Sequence, residues 1–108
     1  MARPSELTAE ELSLVQRCVR AVADGPFLPD WEFQTLMGVS REQARAVYAT
    51  WPPLHGEPTV DLTINNSLVN LLGYPHGVDD AWARLVGVPR AEVERVLRKW
   101  QSARRNHR

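Results

Sequence analysis

The stretch FQTLMGVSREQARAVYATW, residues 33–51, has a counterpart near the other end of the chain, WARLVGVPRAEVERVLRKW, residues 82–100. Each begins with an aromatic residue and ends with a tryptophan, and each carries a leucine, a Gly-Val pair and an arginine at the same places. A shift of 49 residues also matches apolar residues upstream, so the match covers roughly 40 residues per copy. We interpret the chain as a tandem duplication of one helical unit.

The first copy carries start and turn signals for helices. Thr8 and Glu11 form a predicted capping box ahead of an apolar stripe at helical spacing, which comprises Leu12, Val15, Val19 and Val22. Gly38 is the predicted turn between a short second helix and a third helix. Ser40 and Gln43 form the capping box that starts this third helix. The first copy therefore predicts three helices.

The second copy repeats this order. Asp61 is the predicted N-cap of its first helix, and Asp79 or Asp80 is the predicted N-cap of the short second helix, as Asp30 is in the first copy. Gly87 is the predicted turn. The last helix is expected to run from about Pro89, which is acceptable in a first helical turn because its missing N–H would be unpaired there.

The predicted fold class is all-α, with two tandem copies of a three-helix unit packed as one pseudo-symmetric domain over residues 1–108. The repeats span about residues 8–52 and 59–103, and residues 52–60 form a proline-rich linker. About 50 residues bury too little surface to be stable alone, so the copies should share one core. The tryptophans are predicted to anchor it, and they are Trp31, Trp51, Trp82 and Trp100.

The composition is typical of a soluble globular protein, with 44% apolar and 24% charged residues. No apolar run approaches the ~20 residues that span a bilayer, so no membrane partner is expected. We expect no signal peptide, because the first residues hold no apolar segment of that length. With Cys18 as the single cysteine, no intrachain disulfide can form, which favours a cytoplasmic location.

The repeated stretch also has features of a helix-turn-helix. In such DNA-binding units a small residue precedes the turn glycine by four, and the second copy has Ala83 before Gly87, followed by the apolar residues Val88, Val93 and Val96. The turn resembles that of lactose-repressor-type regulators, where Gly-Val-Ser opens the recognition helix, and the first copy keeps Gly38-Val39-Ser40. Gln34 departs from the pattern at the small position. The resemblance implies a helical corner and makes DNA binding an alternative function.

The outward faces of the third helices would read DNA. The candidate contacts are Arg41, Gln43, Arg45, Arg90, Arg95, Arg98, Lys99, Arg104 and Arg105. Basic residues collect towards the C-terminus: residues 1–51 hold five basic and seven acidic residues, whereas residues 52–108 hold eight and six. Glutamates on the same helices and a net charge of zero favour solvated amphipathic helices over a strong phosphate-binding surface.

The segment TINNSLVNLLGYPHG, residues 63–77, carries amides inside a predicted helix. Asn66 and Asn70 lie one turn apart, and His76 follows in the next turn. We expect the amides to bind nearby loop backbone groups, such as those of residues 73–77, because buried amides usually satisfy backbone groups. The alternative is that Asn66, Asn70 and His76 form a polar patch for a partner.

Longer phrases of the chain resemble a group of small bacterial proteins. The phrases are INNSLVNLLGYPHG and DWEFQTLMGVSREQARAVYATWP. The resemblance covers nearly the whole chain, and it implies the same tandem helical fold and no particular activity.

The sequence shows no spacing typical of a catalytic or metal site. The histidines are scattered, no Cys-x-x-Cys or His-x-x-x-His spacing occurs, and no glycine-rich phosphate loop is present. We therefore expect no enzyme activity, no metal and no cofactor. The leading hypothesis is a non-enzymatic helical module that binds another protein. A helix-turn-helix DNA-binding regulator is the alternative, and a homodimer is a third hypothesis.

Overall fold

The computed structural model describes residues 7–52, 56–74 and 77–106, and these residues form α-helices and no strand. The described helices are α1 (Ala9–Asp24), α2 (Asp30–Met37), α3 (Arg41–Ala49), α4 (Pro58–Gly73), α5 (Asp79–Leu85) and α6 (Arg90–Asn106). The prediction of an all-α fold is therefore confirmed. No helix in this part of the chain is long and apolar enough to cross a membrane.

Both predicted capping boxes are present. The hydroxyl of Thr8 accepts from the backbone N–H of Glu11 at 3.0 Å, and the Glu11 carboxylate accepts from the backbone N–H of Thr8 at 2.8 Å. Ser40 and Gln43 exchange the same two bonds at 3.1 and 2.8 Å. Gly38 forms the predicted turn with a φ of 73°, a left-handed conformation that favours glycine.

The predicted N-caps at Asp30, at Asp61 and at Asp79 or Asp80 are wrong. Helix α4 begins at Pro58, and Glu57 caps it by accepting a backbone N–H of the first turn at 3.0 Å. Proline suits this place because a first-turn N–H has no helical partner to lose. Asp30 and Asp79 are the first helical residues, where their carboxylates still face the positive end of the helix dipole.

With these corrections the helices of the two halves start in register. The starting residues that lie 49 positions apart are Ala9 and Pro58, Asp30 and Asp79, and Arg41 and Arg90. Helices α1 and α4 each have 16 residues, but α6 has 17 against 9 in α3. Helix α3 ends at Ala49, shortly before Pro52, which cannot continue a helix.

The core lies along the contact between α1 and α4. Helix α1 also packs against α3, α5 and α6, and α4 also packs against α2, α3 and α6. The side chains along this contact are at most 1% exposed, and they are Val15, Cys18, Val19, Val22, Ile64, Ser67, Leu68 and Leu71. The apolar stripe predicted on α1 is therefore buried at Val15, Val19 and Val22 and half-buried at Leu12. The radius of gyration of 12.8 Å matches the ~13 Å typical of a compact chain of this length.

The tryptophans divide into buried and exposed side chains. Trp100 is 1% exposed, and Trp82 is buried with its ring edge-on to Phe27 at a centroid distance of 6.3 Å. Trp51 is half-buried against the core. Trp31 is 79% exposed, so the prediction that it anchors the core is wrong.

Candidate functional site

Arg41, the first residue of α3, holds the first helical corner together. Its guanidinium lies over the ring of Phe33, 4.3 Å from the centroid, and its Nε donates to Asp30 at 2.9 Å. It also donates to three backbone carbonyls at the end of α1 and in the following loop, those of Val22 (3.3 Å), Ala23 (2.8 Å) and Leu28 (2.7 Å). The Arg41 side chain, a predicted DNA contact, therefore bonds to groups within the protein.

The other two candidates on α3 also have partners. Gln43 caps the helix through its side-chain oxygen. Arg45 donates to one oxygen of Asp24 at 2.8 Å, and the hydroxyl of Tyr48 donates to the other. The bonds from Arg45 and Tyr48 lower the pKa of the Asp24 carboxyl, and the bond to Asp24 raises the pKa of Tyr48. The outward face of α3 therefore presents paired charges.

Arg90, the first residue of α6, repeats part of the Arg41 arrangement. It lies over the ring of Trp82, 4.5 Å from the centroid, and donates to the Leu71 carbonyl at 3.4 Å. Among the described residues it makes no bond to Asp79, although Asp79 occupies the place that Asp30 has beside Arg41. The Arg90 side chain is exposed and keeps N–H donors that no described residue accepts.

The remaining described cations of α6 are neutralised by carboxylates. Arg95 donates to Glu92 at 2.6 and 3.0 Å and to Glu11 at 2.9 Å, and Lys99 donates to Glu11 at 2.8 Å. Burial raises the pKa of Glu11, but the bonds from Lys99, the Thr8 backbone and Arg95 outweigh it and lower the pKa to about 2. These bonds tie the start of α1 to α6.

The last three candidate DNA contacts on α6 are Arg98, Arg104 and Arg105. Arg98 pairs with Glu94 at 2.7 Å, and its side chain is 73% exposed. The side chains of Arg104 and Arg105 lie outside the described residues.

The asparagines bind the end of α2. Asn66 donates to the carbonyl of Met37 at 2.9 Å, and Asn70 donates to the carbonyls of Leu36 at 3.1 Å and Asn66 at 2.9 Å. Carbonyls in the last turn of a helix lack helical partners, so these amides complete α2. The asparagine amides bind backbone carbonyls as expected, but these carbonyls belong to α2 and not to the predicted loop of residues 73–77. His76 lies outside the described residues.

Helix α2 runs antiparallel along α4, and both helices carry exposed apolar side chains. The end of α2 meets Asn66 and Asn70, whereas near its start Glu32 accepts from the hydroxyl of Tyr74 at 2.7 Å. The exposed large apolar residues of α2 and α4 are Trp31 (79%), Leu62 (41%) and Val69 (41%). We call Trp31, with its exposed neighbour Asp30 at the start of α2, the Trp31 surface.

The interpretation from sequence missed this surface, although the repeat contains a signal for it. Phe33 matches Trp82 and Trp51 matches Trp100, so apolar residues match at both places. Trp31 instead matches Asp80, an exposed carboxylate. An aspartate at the position 49 residues away indicates that such a position faces solvent.

Charge is divided between two segments of the chain. Residues 24–74, which include the Trp31 surface, hold six acidic and two basic residues, for a net charge of −4. Residues 75–108 hold eight basic and four acidic residues, for a net charge of +4. The two segments therefore carry opposite net charges within a chain whose net charge is zero.

Two clefts border the first turns of α6. One of about 410 Å³ lies at the corner between α5 and α6, and its lining includes Asp79, Trp82, Ala83, Gly87, Val88 and Arg90. This volume is near the lower end of the ~300–1,000 Å³ range of clefts that take small organic groups. The other, of about 480 Å³, lies between the start of α1 and α6 beside the Glu11–Arg95 pair. We call the first one the corner cleft.

Within the described residues, no three or more His, Cys, Asp or Glu side chains lie close enough together to hold a metal ion. Cys18 is fully buried, and burial raises the pKa of its thiol to about 12. The thiol is therefore protonated at neutral pH and packs as an apolar side chain.

No family model, no curated protein and no solved structure matches the chain.

Proposed function

We propose that this protein is a non-enzymatic helical module that binds another protein through the Trp31 surface. The observation that carries the proposal is the 79% exposure of Trp31 in a chain whose other tryptophans are buried or half-buried. Tryptophan is enriched among residues that dominate protein–protein binding, because one side chain buries ~150–250 Å² of surface. Trp31 contributes little to the core, so its burial is left for a partner.

The surroundings of Trp31 define the chemistry of that partner. Asp30 beside it is 92% exposed, and the segment that holds both has a net charge of −4. A partner that offers apolar contacts to Trp31 and a basic residue to Asp30 would therefore be complementary.

Photo-crosslinking in the source cells tests the proposal. A photoreactive amino acid at Gln34, exposed and one turn from Trp31, should capture a defined partner, and Trp31→Ala should abolish the product. The same group at exposed Ala91 on α6 is the matched control position. No product from position 34, or a product that survives Trp31→Ala, would refute the proposal.

We also propose that the chain holds two copies of a three-helix unit related by an approximate two-fold axis. The matching helix starts support this. The contacts between helices support it too, because swapping the two halves turns each contact into another contact that is present. The α1–α3 contact corresponds to α4–α6, α2–α4 to α5–α1, and α3–α4 to α6–α1. Each central helix is thus covered by helices of the other half.

A second candidate function is DNA binding through the corner between α5 and α6. The observation that favours it is that Arg90 keeps unused donors and Arg84 is exposed, with no ion pair among the described residues. Fluorescence anisotropy with sheared genomic DNA at about 50 and 200 mM salt tests it, since phosphate contacts weaken steeply over that range. Absence of binding at the lower salt would exclude it.

A further inference from the structure

We infer that the partner of the Trp31 surface is a second copy of this chain, with Trp31 and Asp30 of one molecule entering the corner cleft of the next. The inference rests on the proposed function, because it names the occupant of the same surface. Three features carry it: the exposed carboxylate beside Trp31, the cleft, and the arginine within the cleft.

Opposite charges make two copies complementary at the two groups that would meet. The Asp30 carboxylate beside Trp31 is 92% exposed, and Arg90 in the corner cleft is exposed with N–H donors that no described residue accepts. These two groups attract each other when they lie on different molecules. The attraction is weakened by salt.

The corner cleft has the size and lining for an aromatic side chain. Its volume is about 410 Å³, and Trp82, Ala83 and Val88 supply apolar contacts. Ala83 lies in α5 and is exposed, and its small side chain leaves the cleft accessible. An indole entering beside Trp82 would contact the apolar lining of this open cleft.

The first corner of the same molecule shows what the second corner lacks. Arg41 lies over Phe33 and binds the Asp30 carboxylate at 2.9 Å. Arg90 lies over Trp82 in the same way, but no described carboxylate binds it, although Asp79 also lines the cleft. Arg90 is therefore open to a carboxylate of a second molecule.

Asp30 of a second copy can supply this carboxylate. Its side chain is 92% exposed, and only its Oδ1 atom carries a bond among the described residues. The Oδ2 atom is left to accept from Arg90 of the next molecule. Asp30 and Trp31 are adjacent, so one segment of α2 delivers both groups to the cleft.

Each molecule carries both halves of this contact, so association is head-to-tail and either closes into a ring or continues. This arrangement permits a complementation test. Trp31→Ala removes the inserted group but keeps the cleft, and Arg90→Glu damages the cleft but keeps the inserted group. Neither variant should associate alone, whereas an equimolar mixture should form a dimer and nothing larger.

Sedimentation equilibrium of the full chain is the measurement, from about 1 μM to about 1 mM protein at about 50 mM salt. The wild type should show a mass above 12.2 kDa that rises with concentration, and about 500 mM salt should weaken association by about tenfold. Arg98→Glu, an equal charge change on an exposed arginine outside the cleft, is the matched control and should still associate. Ala83→Leu, which fills the cleft from an exposed position, should block association without removing a charge.

A wild-type chain that stays at 12.2 kDa over this range would overturn the inference. So would a mixture of Trp31→Ala and Arg90→Glu that fails to associate although both variants melt cooperatively. A monomeric wild type whose position 34 still captures a different protein would overturn only the identity of the partner. A monomer with no captured product would overturn the proposed function as well.

Discussion

Arg41 and Arg90 lie 49 residues apart and make the same two contacts. Each lies over the aromatic ring eight positions earlier, and each donates to the backbone carbonyl 19 positions earlier. Only Arg41 adds the Asp30 carboxylate and two further carbonyls. The same residue therefore stabilises the fold in the first half of the chain and remains accessible in the second.

Replacing each arginine by alanine should separate these roles. Arg41→Ala should lower the free energy of unfolding by about 2–4 kcal/mol, because it leaves several carbonyls without their charged donor. Arg90→Ala should lower it by about 1 kcal/mol or less, since an exposed cation–π contact and one long hydrogen bond are lost. Urea denaturation of the two variants measures the difference. Equal losses would contradict the distinction between the two corners.

The two turn glycines should differ in their tolerance of a side chain. Gly38 and Gly87 both have left-handed φ angles, 73° and 79°, so alanine is strained at either by about 1–2 kcal/mol. At Gly38 an added Cβ would also lie 2.9 Å from the Leu62 side chain, whereas at Gly87 the nearest atom is 3.9 Å away. Gly38→Ala should therefore lower the melting temperature more than Gly87→Ala. The double variant Gly38→Ala, Leu62→Ala should recover the difference if the Leu62 contact is its cause.

Ser67 and Cys18 occupy matching positions where α1 and α4 pack together. Both are fully buried, and the Ser67 hydroxyl has no hydrogen-bond partner. An unpaired buried hydroxyl costs about 1–3 kcal/mol, so Ser67→Ala should be neutral or stabilising. Cys18→Ser introduces a hydroxyl at the matching place and should destabilise by a similar amount. A large loss of stability in Ser67→Ala would show that its hydroxyl is needed.

Glu11 should make the stability of the protein depend on acid. Its pKa is about 2 in the folded chain, against an ordinary value of 4.5. Because the folded pKa is the lower one, the stabilisation is complete above about pH 4.5 and is lost as pH falls towards 2. Glu11→Gln should reduce stability at neutral pH by about 2 kcal/mol, since its cation partners are partly exposed.

The difference between wild type and Glu11→Gln isolates this group. Other carboxyls with lowered pKa values, those of Asp24 and Glu92, are present in both proteins. The difference in unfolding free energy should therefore shrink as pH falls from 4.5 to 2. A difference that stays constant over this range would rule out an ionised role for Glu11.

Residues 1–53 alone should show no cooperative thermal transition. In the full chain α1 packs against helices α4, α5 and α6, which this fragment lacks. About 50 residues without those partners bury too little apolar surface for independent stability. A sharp calorimetric transition of the fragment would show that the first half folds by itself, and mixing it with residues 54–108 should restore the transition if the halves complete each other.

Features set by near neighbours in sequence could be predicted. The two capping boxes, the Gly38 turn and the apolar stripes all depend on residues three to seven positions apart. The helix starts assigned to aspartates were misplaced, because aspartate is as favourable in the first turn as at the cap.

The candidate site depends on longer distances. Asn70 binds a carbonyl 34 residues away, and Arg95 binds a carboxylate 84 residues away, so neither partner could be read from local spacing. Trp31 lies two positions from the buried Phe33 in the same short helix, so local spacing does not separate the exposed ring from the buried one. Only its match to Asp80 in the other copy indicates exposure.

The most direct test of the Trp31 surface compares binding with folding in one variant. Trp31→Ala should keep the wild-type melting temperature within about 2 °C, because the side chain is 79% exposed, and should abolish the crosslinked product from position 34. A variant that melts much earlier would contradict the account, since Trp31 would then be part of the core. A variant that melts normally and still yields the product would place the binding surface elsewhere.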